Sequence, residues 1–137
     1  MNDMVKVLHH NIGGARSTQN THKWRRLITH GKRFKYDIIC VSETHCDKNE
    51  IITHTCKALK ANPGDLDHRI FASHNTDNIA RGGVAIIILN DEYNTQLVDN
   101  DCDTVQSWAN NIAQQHLNCI PPDAIRGRYI TVKVTLP

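Results

Sequence analysis

The chain has 137 residues, of which 39% are hydrophobic and 22% charged, and its net charge is +2. This length suits one domain with a buried core, and the sequence has no apolar run long enough to cross a bilayer as a helix, so no membrane association is expected. The small net charge argues against a protein that holds nucleic acid by charge alone.

The cysteines indicate the expected compartment. The sequence contains five cysteines, an odd number, which are widely spaced and include no C-x-x-C pair. The first residues lack a charged lead followed by an apolar stretch, which is the pattern of a secretory signal. We therefore expect reduced thiols in an intracellular protein, nuclear or cytoplasmic, not a disulfide framework.

The first predicted element is a strand at residues 4–10, which is rich in β-branched and apolar side chains. It stops at Asn11, and the glycine pair Gly13–Gly14 that follows permits a tight turn and a close backbone approach. A helix is expected from about Thr21, because apolar residues recur there at helical spacing, with Gly31 as its stop. The apolar stripe of this helix consists of Trp24, Leu27 and Ile28.

The same helix carries a concentration of positive charge. Residues 22–36 contain eight basic side chains, counting histidines, and no acidic one. Such a segment is predicted either to face a phosphate backbone or to form the solvated face of a helix. The residues alone leave both interpretations open.

The chain is organised around residues 36–45, which read as a buried strand that ends in a carboxylate. Ile38–Val41 is continuously apolar and too short for a helix of its own. Glu43 follows where this run stops, either as a metal ligand on a rigid support or as an ordinary solvated carboxylate. Strand, helix and strand in this order predict a βαβ unit with parallel strands. Because sites form at the carboxyl ends of such strands, Asn11 and Glu43 are expected side by side at one sheet edge.

A carboxylate and an amide supply hard oxygen ligands, which suit Mg²⁺ or Mn²⁺ sharing its shell with water and a substrate phosphate. Zinc prefers several His or Cys at close range. The sequence has no histidine pair at helical metal spacing and no C-x-x-C. The expected cofactor is therefore Mg²⁺ or Mn²⁺, with Asn11 and Glu43 as its candidate ligands.

The middle of the chain predicts a second helix and a short strand. The helix should run from Lys48 to Leu59, because Asp47 and Glu50 form the pattern of a capping box. Residues 62–65 are expected to break it. A short strand is predicted at residues 69–73.

The last third predicts two strands separated by an insertion. Val84–Leu89 is the most apolar run and is expected to be a central strand covered on both faces. Residues 90–126 are interpreted as a surface insertion with a helix at 104–117. Residues 128–136 alternate between apolar and polar side chains, which predicts a strand with one apolar face.

Three segments of the sequence resemble a known family. The runs VLHHNIGG at 7–14, YDIICVSETH at 36–45 and GGVAII at 82–87 resemble the opening motifs of the endonuclease/exonuclease/phosphatase superfamily. Within it, the likeness is to the apurinic-endonuclease-like branch, as in the endonuclease domains of long interspersed retrotransposons. His9, His10 and Ser42 depart from the usual residues of those motifs.

The resemblance implies an α/β fold, the N-terminal half of a four-layer α/β/β/α sandwich, with a mixed sheet and two or three helices. Residues 1–137 would form a partial domain, because the family's later motifs have no counterpart among them. The implied reaction is Mg²⁺-dependent hydrolysis of a phosphodiester in nucleic acid, with DNA favoured over RNA. Asn11 and Glu43 would be the catalytic and metal-binding residues, and Arg16, His45 and Arg81 are candidate substrate-binding residues.

Two other functions remain open at this point. The chain could be a non-catalytic remnant that retains metal or nucleic-acid binding, since the family's later catalytic residues are missing. It could also be a phosphatase acting on a non-nucleic phosphoester. The oligomeric state and any sequence or lesion preference are not determined by these residues.

Overall fold

The computed structural model describes residues 4–15, 21–74, 82–99 and 130–137. Within these ranges the protein is a mixed α/β structure. Its elements in chain order are β1 (Val7–Asn11), α1 (Thr21–Arg33), β2 (Ile38–Ser42), α2 (Lys48–Leu59), α3 (Pro63–Leu66), β3 (Ile70–Ser73), β4 (Val84–Ile88), β5 (Asn94–Asp99) and β6 (Thr131–Thr135).

Four strands form a mixed sheet in the order β1-β2-β4-β3. The β1 and β2 strands are parallel neighbours, and β4 pairs antiparallel with both β2 and β3. The predicted mixed α/β class and the predicted βαβ unit are therefore confirmed. A separate two-stranded antiparallel sheet is made by β5 and β6.

The core lies between one face of the sheet and the helices. Trp24 and Ile28 of α1 are fully buried, as the spacing of the stripe predicts, and they join Ile39 and Ile87 from the sheet in one hydrophobic cluster. Stacking between Trp24 and His54 of α2, with ring centroids 6.4 Å apart, connects the two helices. Burial of large apolar side chains such as these contributes about 1.5–3 kcal/mol each.

The second helix has the predicted bounds. Asp47 Oδ1 accepts a hydrogen bond from the Glu50 backbone N–H at 2.8 Å, which satisfies one of the unpaired amides at the helix start. Lys60 ends the helix in a left-handed conformation, with φ of 55°. The expected break at 62–65 is real, but Pro63 at once begins the short helix α3.

Gly31 was expected to end α1, and that expectation is wrong. The helix continues to Arg33. A Cβ at position 31 would lie 2.6 Å from Cδ1 of Ile39 and 2.9 Å from Cδ1 of Leu89. Glycine at this position lets the helix backbone pack closely against the Ile39 and Leu89 side chains, and it does not mark the end of the helix.

The strand at Val84–Ile88 is central, as predicted, but its two faces differ. Ala85 and Ile87 are buried beneath the helices, whereas Val84 and Ile86 on the opposite face remain half-buried. Ile88 on that opposite face is buried, with 2% exposure, so within the described residues the second face is covered at one end and only half-covered at Val84 and Ile86.

Residues 90–126 contain one described element, the strand β5, which the sequence did not predict. Its pairing with β6 joins residues far apart in the chain. The helix predicted at 104–117 lies outside the described residues, as do Cys102 and Cys119. Cys40, Cys46 and Cys56 are free thiols. Across the described ranges, every helix is too short or too polar to span a bilayer.

Candidate active site

The parallel pairing of β1 and β2 brings together the two residues of the predicted site. Asn11, the last residue of β1, is the register partner of Ser42, the last residue of β2. Glu43 follows Ser42 directly, so Asn11 and Glu43 lie at the same edge of the sheet. This is the carboxyl edge, where sites form in open α/β sheets.

The segment Glu43–His45 is held in place by backbone hydrogen bonds on both sides. From the β1 side, the Gly14 and Ala15 amides donate to the carbonyls of Glu43 and Thr44 at 2.7 and 3.0 Å. Towards β4, Thr44 and His45 donate their amides to the carbonyls of Gly83 and Gly82 at 3.1 and 3.0 Å. The segment is therefore a fixed part of the sheet edge.

These contacts explain two of the glycines. A Cβ at Gly14, whose φ is 82°, would lie 2.6 Å from Nδ1 of His45. A Cβ at Gly83, whose φ is 94°, would overlap Oγ1 of Thr44 and lie 3.0 Å from the His45 nitrogen. Both positions need a left-handed backbone and a missing side chain, conditions that only glycine meets easily.

Two side chains of the segment are displayed on strained backbone. Glu43 and His45 have φ of 55° and 54°, in the left-handed region that ordinary residues rarely adopt. Thr44 between them is fully buried, and its Oγ1 accepts from the Cys46 amide at 3.3 Å. Each left-handed residue costs about 1–2 kcal/mol, and such strain clusters at functional sites.

Glu43 and His45 contact each other. Nε2 of His45 lies 3.3 Å from Oε2 of Glu43, and the side chains are 28% and 34% exposed for His45 and Glu43 respectively. The carboxylate is thus oriented by a neighbour and still reachable from solvent. This is the condition required of a ligand that shares an ion with water and substrate.

Asn11 is also oriented locally. Its Oδ1 accepts from the Gly13 amide at 3.0 Å, an Asx turn that begins the glycine loop. Lys23 of α1 donates from Nζ to the Gly14 carbonyl at 2.7 Å. Lys23 therefore places a positive charge beside this edge, and the sequence marked it only as one member of the basic segment.

Three of the five predicted site residues lie at this edge of the sheet: Asn11, Glu43 and His45. Arg16 and Arg81 lie outside the described residues. The part played by Gly82 and Gly83 was missed, since the sequence marked the pair only as the start of the GGVAII run at 82–87. The signal was present in the two glycine pairs at positions 13–14 and 82–83, but their meeting at one segment depends on the sheet order.

The side chains available at this edge determine which metal ion would fit. In the described part of the chain, no group of three or more His, Cys, Asp or Glu is arranged to hold a metal ion. The Glu43 carboxylate and the Asn11 amide are oxygen donors of the kind that Mg²⁺ takes alongside several waters. The pair does not match the compact four-ligand arrangement of a structural zinc site.

Comparison with known proteins gives no assignment: no family model matches the chain, and no curated protein is significantly similar to it.

Proposed function

We propose that this protein is a Mg²⁺-dependent hydrolase of phosphodiester bonds in nucleic acid, of the endonuclease/exonuclease/phosphatase kind. The observation that carries the proposal is the shared sheet edge of Asn11 and Glu43, produced by the parallel register of β1 and β2. The left-handed backbone of Glu43 and His45 adds support, because the other described non-glycine residues with positive φ, Lys35 and Lys60, follow the ends of helices and these two do not.

Glu43 is the proposed metal ligand, and Asn11 supplies an amide to the metal shell or to the scissile phosphate. Mg²⁺ bound here would polarise a phosphoryl oxygen and stabilise the leaving oxygen. His45 orients the Glu43 carboxylate through its contact at 3.3 Å and remains a candidate substrate-binding residue beside it. Lys23 holds the Gly13–Gly14 turn and adds positive charge beside the site.

The fold proposed to accompany this function is half of a four-layer α/β/β/α sandwich. One face of the four-stranded sheet is covered by α1 and α2, and the other carries half-buried apolar side chains. These are Ile38, Cys40, Phe71, Val84 and Ile86. A face of this composition is suited to pack against a second sheet.

The test is nicking of supercoiled plasmid by the purified protein with Mg²⁺, compared with Glu43→Gln. The substitution keeps the shape of the side chain and removes its charge. Glu92→Gln is the matched control, because Glu92 is an exposed carboxylate outside the site. Nicking that is lost in Glu43→Gln and retained in Glu92→Gln is the expected result.

Two outcomes would support a different function, and a third would exclude this site. Mn²⁺ binding that depends on Glu43, with no nicking at any metal concentration, would identify a non-catalytic binding protein. Release of phosphate from small phosphoesters without nicking would identify a phosphatase. Nicking that persists in Glu43→Gln would remove this edge as the active site.

A further inference from the structure

A groove of 460 Å³ runs between the edge strand β1 and helix α1. Its floor is apolar, formed by Leu8, Ile12 and Leu27. Its polar lining side chains are all basic: His10, Lys23, Arg26 and His30. We call it the α1 groove.

Acidic residues do not neutralise the α1 groove within the described structure. Helix α1 contains no Asp or Glu. Ion pairs join His45 to Glu43 and Lys48 to Asp67, and none of these four residues lines the groove. The groove therefore favours an anionic occupant.

Aromatic rings continue the α1 groove at one end. The ring of His30 lies 4.7 Å from that of Phe34 and 6.0 Å from that of Tyr36. Phe34 is 47% exposed, and it also lines a separate cavity of 940 Å³ together with Met4, Val5 and Leu136. The guanidinium of Arg33 lies 5.5 Å from the Phe34 ring centroid, so cation and aromatic groups alternate along this surface.

The other end of the α1 groove reaches the candidate active site. Nζ of Lys23, which lines the groove, donates to the Gly14 carbonyl at 2.7 Å. The Gly14 amide in turn donates to the Glu43 carbonyl at 2.7 Å. An occupant of the groove would thus lie directly beside the edge that carries Glu43.

We propose that the α1 groove and the Phe34 ring bind an unpaired strand of nucleic acid that flanks the site of cleavage. The inference rests on the proposed function in taking nucleic acid as the ligand. Cationic rims suit phosphates, while apolar and aromatic surfaces suit sugars and bases, and only an unpaired strand presents all three. A duplex would use the charges but keeps its bases stacked inside, away from the Phe34 ring, whereas an unpaired strand presents its bases to that ring.

The experiment is fluorescence anisotropy of a labelled single-stranded oligodeoxynucleotide, measured with EDTA so that no hydrolysis occurs. Arg26→Gln should weaken binding and lower the slope of log K against log salt by about 0.7. Phe34→Ala should weaken binding by about fivefold or more through lost stacking. Arg25→Gln is the matched control, because Arg25 is exposed on the same helix but does not line the groove. The affinity of this variant for the oligonucleotide should be unchanged.

An abasic oligonucleotide of equal charge separates stacking from charge. Its binding should be insensitive to Phe34→Ala and still sensitive to Arg26→Gln. If Arg25→Gln and Arg26→Gln lowered the affinity for the strand equally, binding would depend on the overall positive charge of the helix and not on the groove. That result would overturn the proposal. Equal affinity for the duplex, or displacement by poly-glutamate that matches displacement by the unlabelled strand, would also overturn it.

The groove-binding test and the nicking test can fail independently of each other. Glu43→Gln should retain groove binding in EDTA, since Glu43 does not line the α1 groove. Loss of nicking in Glu43→Gln with unaltered binding in Arg26→Gln and Phe34→Ala would remove the groove alone. The reverse pattern would remove the hydrolase and leave the strand-binding groove. Arg25, Arg26 and Phe34 are exposed, so the thermal unfolding of these three variants should match that of the parent protein.

Discussion

Nε2 of His45 lies 3.3 Å from Oε2 of Glu43, and both residues have left-handed backbone. The contact fixes the direction of the one carboxylate that follows β2 at the sheet edge. Because a side chain that orients a ligand usually contributes to metal affinity, the pair can be tested directly.

His45→Ala should lower Mn²⁺ affinity about tenfold, since Glu43 then loses its orienting neighbour. Titration with Mn²⁺ followed by electron paramagnetic resonance measures this without any requirement for activity. His68→Ala, at an exposed histidine elsewhere, should bind Mn²⁺ like the parent. An affinity unchanged in His45→Ala would show that His45 does not orient Glu43.

Gly83→Ala should destabilise the protein by about 3 kcal/mol, because the new Cβ overlaps Oγ1 of Thr44 and the backbone there is left-handed. Urea unfolding measures the change in the free energy of unfolding. Gly64→Ala is the control, since a Cβ there meets nothing within 4 Å, and its effect should stay within about 0.5 kcal/mol. Equal effects of the two substitutions would contradict the close approach at Gly83.

Stability should fall on mild acidification in part through His54. Burial, with the neighbouring charge of Lys57, lowers the pKa of His54 below the ordinary histidine value of 6.5. The unfolded chain therefore takes up a proton first as pH falls, so this contribution is present above about pH 6.5. It is lost as pH falls towards the folded-state pKa.

His54→Leu should remove this contribution, and Nδ1 of His54 has no hydrogen-bond partner to lose among the described residues. Urea unfolding at pH 7.5 and at pH 5.5, followed by tryptophan fluorescence, gives the two free energies for each protein. The parent should lose more stability between these pH values than His54→Leu. Identical losses would exclude His54 as a source of acid sensitivity.

Cys46 should resist alkylation in the folded protein. Burial, with a smaller effect from Glu50, raises the pKa of the Cys46 thiol to about 12, so almost no thiolate exists near neutral pH. Iodoacetamide labelling read by peptide mass spectrometry should leave Cys46 unmodified in buffer and modify it in urea. Equal labelling rates in the two conditions would show that the buried position is wrong.

The sequence predicted best where the physical signal is local. The bounds of α2 follow from a cap and a helical periodicity that act within a few residues, and Asp47 bonds to Glu50 as the pattern requires. The apolar stripe of α1 was correct for the same reason. The βαβ unit was predictable because a short crossover strongly favours one parallel arrangement.

Prediction failed where distant segments meet. Gly31 looked like a helix stop because its contact with Ile39 is not encoded near position 31. The β5 strand was not predicted because its polar sequence pairs with β6 across the long segment between them. Neither the contact of Gly31 nor the pairing of β5 can be inferred from the residues that neighbour it in the sequence.

The candidate site divides in the same way. The sequence by itself determined that Asn11 lies at the end of one strand and that Glu43 follows the end of the next, because apolar runs and glycine turns specify those ends locally. Only the tertiary structure decided that two glycine pairs enclose Glu43–His45, that Glu43 and His45 take left-handed backbone, and that Lys23 holds Gly14. The reason is physical: the order β1-β2-β4 and the packing of α1 set which backbone groups lie within hydrogen-bond reach.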